Sequence, residues 1–165
     1  GRTIGLAGIE AEKIEVEPWF GGLVKTAGGD PGLAAFFAPR TIDAPVAGPT
    51  ATTARLRPDI VMRPRTVAVW RVPADSRRFR AVIATAAEPQ ACDPVLVTVA
   101  VDGRELFRRQ LGGSPGTAPA APHDDGGIPI DLDLTSSRRL TVSVDFVPGN
   151  GIGGAVRFTD PVIER

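Results

Sequence analysis

His123, Asp124 and Asp125 set an imidazole beside two carboxylates, the donor types that hold zinc or calcium, in a chain of 165 residues. Adjacent side chains diverge, and the run is flanked by Ala-Pro and Gly-Gly, so it reads as a solvated turn. His123 is the sole histidine. A serine or cysteine nucleophile would have only that imidazole for a base, inside a Gly-, Pro- and Ala-rich stretch, 112–127, that lacks periodicity and is expected to be a mobile loop. Cys92, the sole cysteine, has the carboxylate of Asp93 next to it, which disfavours a thiolate; it can form neither an internal disulfide nor a multi-cysteine metal site. Asp131 and Asp133 share one side of a strand-like segment and could be considered as a glycosidase pair, but two carboxylates on an outer strand face are more simply its wet side. The glycine run from Gly149 to Gly154 has phosphate-loop spacing, yet it leads into the strand-like Ala155-Val156-Arg157-Phe158 and has no Lys-Ser or Lys-Thr ending. It reads as a tight turn, and the chain as a whole does not read as an enzyme.

The elements that position these residues are strands. From Ser76 to Pro161 the chain shows five short segments in which apolar residues alternate, so each can bury one face and wet the other. Val95, Val97, Val99 and Val101 share a face. Ile128, Ile130, Leu132 and Leu134 alternate with Pro129, Asp131 and Asp133, and Leu140, Val142, Val144 and Phe146 alternate with Thr141, Ser143 and Asp145. Asp102-Gly103 accepts the positive φ angles of a two-residue hairpin turn and predicts one between 95–101 and 104–107. Val72 to Asp75 predicts a turn between a strand from Thr66 and one from Phe79 to Thr85. The pattern predicts an all-β fold, an antiparallel two-sheet sandwich. Phe79, Val97, Val99, Ile130, Leu132, Val142, Val144 and Phe158 are expected to be buried, and Trp70 is assigned to the core.

A single domain, 1–165, is expected, with a regular core over 60–165 and an irregular 1–59 of loops and short strands packing on it. Gly21-Gly22, Gly28-Gly29 and the prolines from Pro39 to Pro58 interrupt that first third; one or two helical turns over 30–37 are the exception, with Asp30 as cap and Pro31 in the first position. Nineteen basic and nineteen acidic residues cancel, which removes the electrostatic footprint of nucleic-acid binding. No run approaches the roughly 20 apolar residues of a spanning helix, so membrane insertion is not expected. Gly1 opens the chain without a basic-then-apolar leader, as expected of a piece cut from a longer protein or of a processed form.

The order of motifs resembles the NPCBM family of carbohydrate-binding modules, galactose-binding-like jelly rolls. The residues carrying the resemblance are Arg78-Phe79-Arg80-Ala81, the strand 95–101, Asp102-Gly103-Arg104-Glu105-Leu106-Phe107, Ile130-Asp131-Leu132-Asp133-Leu134, Leu140 to Phe146, the glycine run 149–154 and Phe158-Thr159-Asp160-Pro161. It covers about half the chain. Arg63 stands where the family pattern has His, and Phe158 where it tends to have Trp. The resemblance implies a non-catalytic accessory module, secreted or at the cell surface, attached to a larger bacterial protein, with a glycan or glycoconjugate and the neighbouring domains as partners. It also implies a structural Ca²⁺, for which Asp145, Asp160 and Glu164 are the candidate oxygen donors.

Binding a sugar takes an apolar surface for the ring and a few fixed polar groups for its hydroxyls. Trp19, in the turn-like Glu17-Pro18-Trp19-Phe20-Gly21-Gly22, could offer an exposed indole, and Arg63 and Arg65, on either side of Pro64, could donate planar hydrogen bonds to hydroxyls or a uronate. The alternative is a structural or protein-interaction sandwich that braces a neighbouring domain and has no sugar site. The absence of tyrosine favours that alternative.

Overall fold

The computed structural model describes residues 2–16, 24–25, 40–42, 58–86, 94–112, 127–147 and 154–165. Twelve strands and one short 3₁₀ turn account for most of them: β1 (Thr3–Gly5), η1 (Leu6–Gly8), β2 (Ala11–Val16), β3 (Val24–Lys25), β4 (Arg40–Ile42), β5 (Asp59–Met62), β6 (Thr66–Arg71), β7 (Arg78–Thr85), β8 (Val95–Val101), β9 (Arg104–Leu111), β10 (Ile128–Asp133), β11 (Arg139–Phe146) and β12 (Val156–Glu164). The first sheet runs β10-β7-β12-β5-β4, with β1 also paired to β12; the second runs β3-β2-β6-β11-β8-β9. Every pairing is antiparallel. The fold is the antiparallel β-sandwich that the alternation predicts.

Side-chain period two builds the core. In β8 the odd valines are buried and the residues between them half-buried; in β11 Leu140, Val142 and Val144 are buried. From the first sheet come Phe79, Ala81 and Ile83 of β7 and Val156, Phe158 and Ile163 of β12, which join the same apolar cluster. Trp70 is buried in β6. The residues expected inside are there, with one exception: Leu132 is half-buried. Among the described residues its strand, β10, pairs with β7 alone and forms an edge, so ladder neighbours cover it from one side.

Asp102 and Gly103, at φ 49° and 83°, form the expected two-residue turn, and Val101 faces Arg104 across it. Beyond the Ala100–Glu105 pair the register slips at Leu106, a large apolar side chain that is exposed. Residues 2–16 add more than irregular chain: β2 is an internal strand of the second sheet, between β3 and β6, and Leu6 of η1 is buried. The helical turns expected over 30–37, the loop 113–126 with His123, Cys92, and residues 149–153 of the glycine run lie outside the described residues.

The registers give the sandwich two distinct ends. Val16, Met62, Thr85, Leu111 and Phe146 finish strands at one end, where Thr66, Val95, Ile128 and Val156 begin others. We call this end the rim. At the far end the sheets are tied by short turns: Val72 N–H donates to the Arg138 carbonyl (2.8 Å), Leu134 N–H to the Arg77 carbonyl (2.8 Å) and Arg77 N–H to the Glu164 carbonyl (2.7 Å).

Candidate functional site

At the rim, β5 crosses to β6 through Arg63-Pro64-Arg65. Proline presets its own φ for the second place of a tight turn, and the third place then falls to Arg65, at φ 61°. Left-handed backbone suits glycine; an arginine there costs roughly 1 kcal/mol. The Arg65 guanidinium stands 5.3 Å from the centroid of the Phe146 ring, within cation–π range. Phe146 continues the inward row of Leu140, Val142 and Val144 to the end of β11, where it is half-buried. The core thus closes at the rim with a guanidinium over an aromatic ring. Such a shelf offers planar donors for hydroxyl or carboxylate oxygens and a flat apolar edge for a ring. Arg63 is exposed on the same turn.

Trp19 lies outside the described residues; it follows Val16, the rim-end residue of β2, by three positions. The acids expected to supply calcium oxygens lie on both sheets. Asp145 lies on β11 of the second sheet, where its Oδ1 accepts the Phe146 N–H at 2.8 Å. Asp160 and Glu164 lie on β12 of the first sheet, along a cavity of about 360 Å³, and Glu164 is taken up by Arg80 at 3.2 Å. Among the described residues no group of three or more His, Cys, Asp or Glu side chains could hold a metal ion. Asp131 and Asp133 have separate partners: Asp131 faces Arg78 at 3.5 Å, while Asp133 Oδ1 accepts the Thr135 N–H at 2.7 Å.

Three acids that spacing did not reveal hold the frame. Asp59 is buried, and its Oδ1 accepts the N–H of Asp160 at 3.2 Å, fixing the irregularity in β12 where Asp160 adopts φ 44°. Asp102 ties the β8–β9 turn to the start of β11, accepting from the backbone N–H groups of Arg138 (3.0 and 3.2 Å) and Arg139 (2.8 Å). Glu12 occupies the register slip of β2 between Ala11 and Lys13 and reaches across β6 to Arg139, with bonds of 3.0 Å from Nε and 2.9 Å from the terminal amine.

That bidentate bond, followed by the Arg139 charge, holds the Glu12 carboxyl below the usual carboxylate range; the Thr135 hydroxyl and N–H do the same for Asp133. Both folded-state values are depressed, so the unfolded chain takes up protons first on acidification. The stabilisation is complete above the ordinary carboxylate range, about 4, and drains away as pH falls through the folded values. In urea titrations from pH 7 to pH 3, Glu12→Gln is expected to show a shallower acid loss than the parent; an unchanged slope would mean the Arg139 bond does not persist in solution.

No protein-family model matches the sequence, and no curated protein matches it significantly. Solved structures do match the fold. The CBM51 of GH95 from Clostridium perfringens, in complex with methyl-galactose, superposes with a TM-score of 0.63 at 13% identity, over 99% of this chain and 100% of that one. The CBM51-2 and INT domains of Clostridium perfringens ZmpB, with GlcNAc, give 0.61 at 12% identity, over 98% of this chain and 31% of that one. The tandem CBM51 modules of a family 98 glycoside hydrolase from Streptococcus pneumoniae give 0.60 at 10% identity, over 98% of this chain and 46% of that one. At these identities the likeness is one of fold.

Proposed function

We propose that this chain is a non-catalytic, carbohydrate-binding accessory module of a larger exported protein, and that the rim holds the sugar. The observation that carries the reading is the superposition of nearly the whole chain on the whole of a module solved with methyl-galactose. A second module of the same fold was solved with GlcNAc, and others belong to a glycoside hydrolase, the setting of an accessory domain. The NPCBM-like motif order points the same way. At the rim, Arg65 and Arg63 supply donors and Phe146 an apolar edge; Trp19, read from the sequence alone, is the candidate ring to stack on the sugar.

A glycan array followed by titration with galactose and GlcNAc tests this. Arg65→Gly is the sharpest variant, since glycine suits the φ of 61° and removes only the side chain. It is expected to keep the parent's stability and to bind at least about tenfold more weakly, or about 1.4 kcal/mol; Trp19→Ala should weaken binding as well. If the parent retains no glycan, the sandwich braces a neighbouring domain and the reading fails.

A further inference from the structure

Away from the rim, the outer face of the second sheet carries a cavity of about 970 Å³. Val69 of β6 and Thr141 of β11 stand opposite each other in the ladder and line it. One step along the same face, Arg71 and Arg139 are also directly opposite. Like charges so placed repel unless a counter-charge intervenes. Glu12 intervenes: the Arg71 charge also acts on its carboxylate, but both its oxygens hydrogen-bond to Arg139. The other acid of the lining, Asp102, has its carboxylate filled by backbone N–H groups of Arg138 and Arg139. Lys13 pairs with Glu15 at 2.7 Å. Among the described residues, no ion pair engages Arg71 or Arg138, and both residues line the cavity. The lining therefore has two acids, both already hydrogen-bonded, and four basic residues, an excess of positive charge beside the half-buried Val69 and Thr141.

We propose that this cavity is a second binding site, distinct from the rim, for an anionic saccharide unit. Its ring lies over Val69 and the Thr141 methyl, and its carboxylate or sulfate ester accepts hydrogen bonds from Arg71 and Arg138. Glu12 and Asp102, which also line the cavity, position the site: Glu12 anchors Arg139, and Asp102 fixes the backbone from which Arg138 projects. That the ligand is a saccharide rests on the reading above; that it is an anion rests on the cavity alone.

Calorimetric titration with trigalacturonate, a sulfated galactan trisaccharide and neutral galactotriose tests the site. Amide chemical shifts locate the binding. The parent is expected to bind at least one acidic probe, more weakly as salt rises, with shifts at Asp102, Gly103, Arg138 and Arg139; the tighter probe identifies the anion as carboxylate or sulfate. Arg71→Ala with Arg138→Ala, two exposed positions, should lose at least tenfold in affinity for that probe while Arg65→Gly loses nothing. The proposal is overturned if neither acid binds at millimolar concentration, if the double variant binds like the parent, or if Arg65→Gly abolishes acid binding. Acid binding through Arg71 and Arg138, in a chain that retains no neutral glycan, would sustain this site and remove the rim's.

Discussion

Phe79→Ala is expected to lower the unfolding free energy by about 3–5 kcal/mol. Phe79 sits in β7, the strand between β10 and β12, paired with Leu132 on one side and Ile163 on the other, and none of its surface reaches solvent. Truncation removes the ring's burial and leaves a hole that neighbouring strands, held by ladders on both sides, can close only in part. Against the 5–15 kcal/mol of a typical domain this is a large share, so urea titration should show a midpoint shifted well below the parent's with little change in slope. A loss under about 1 kcal/mol would mean that β7 turns its other face inward. The partner comparison is Leu132→Ala: that side chain is half-buried on an edge strand, and its loss should be clearly smaller.

The contrast between Phe79 and Leu132 shows what alternation can and cannot tell. Period two assigned the inner face of β8 and β11 correctly because both strands are long and internal to the second sheet, where burial follows parity. It overstated Leu132, because parity says which face a residue takes and nothing about its distance from the sheet margin. It missed β2 for a different reason: the slip at Glu12 breaks the alternation of Ala11, Ile14 and Val16, and that same slip is what lets Glu12 reach Arg139, 127 positions away in sequence. Asp59 and Asp160, 101 positions apart, meet for the same reason, through the register of a sheet that no local spacing encodes. Arg63 and Arg65 were candidates because they flank Pro64 at the entrance to a strand; that Arg65 stands over Phe146 follows only once β11 ends beside it. That Asp145 belongs to one sheet and Asp160 and Glu164 to the other is likewise a division that the order of motifs does not carry.

Gly127→Ala is expected to cost about 2–4 kcal/mol, the sum of a left-handed backbone imposed on alanine and of overpacking. Gly127 has φ 69° and immediately precedes β10 at the rim; a Cβ there would stand 2.7 Å from the Ile83 carbonyl oxygen and 2.7 Å from a methyl of Val82. The Val82 methyl can swing aside, but the carbonyl belongs to β7 and cannot move without disturbing the strand. Gly103 is the internal control. Its φ is 83°, yet no atom lies within 4 Å of the added carbon, so Gly103→Ala pays only the conformational cost of about 1–2 kcal/mol. Measured side by side in urea, the two losses should differ by at least about 1 kcal/mol, with Gly127 the larger; equal losses would show that β7 yields at Ile83. Because Gly127 lies at the rim and the Arg71 and Arg138 cavity at the far end, Gly127→Ala under native conditions should also spare binding of an acidic probe. That would separate the two ends of the sandwich by a single methyl group.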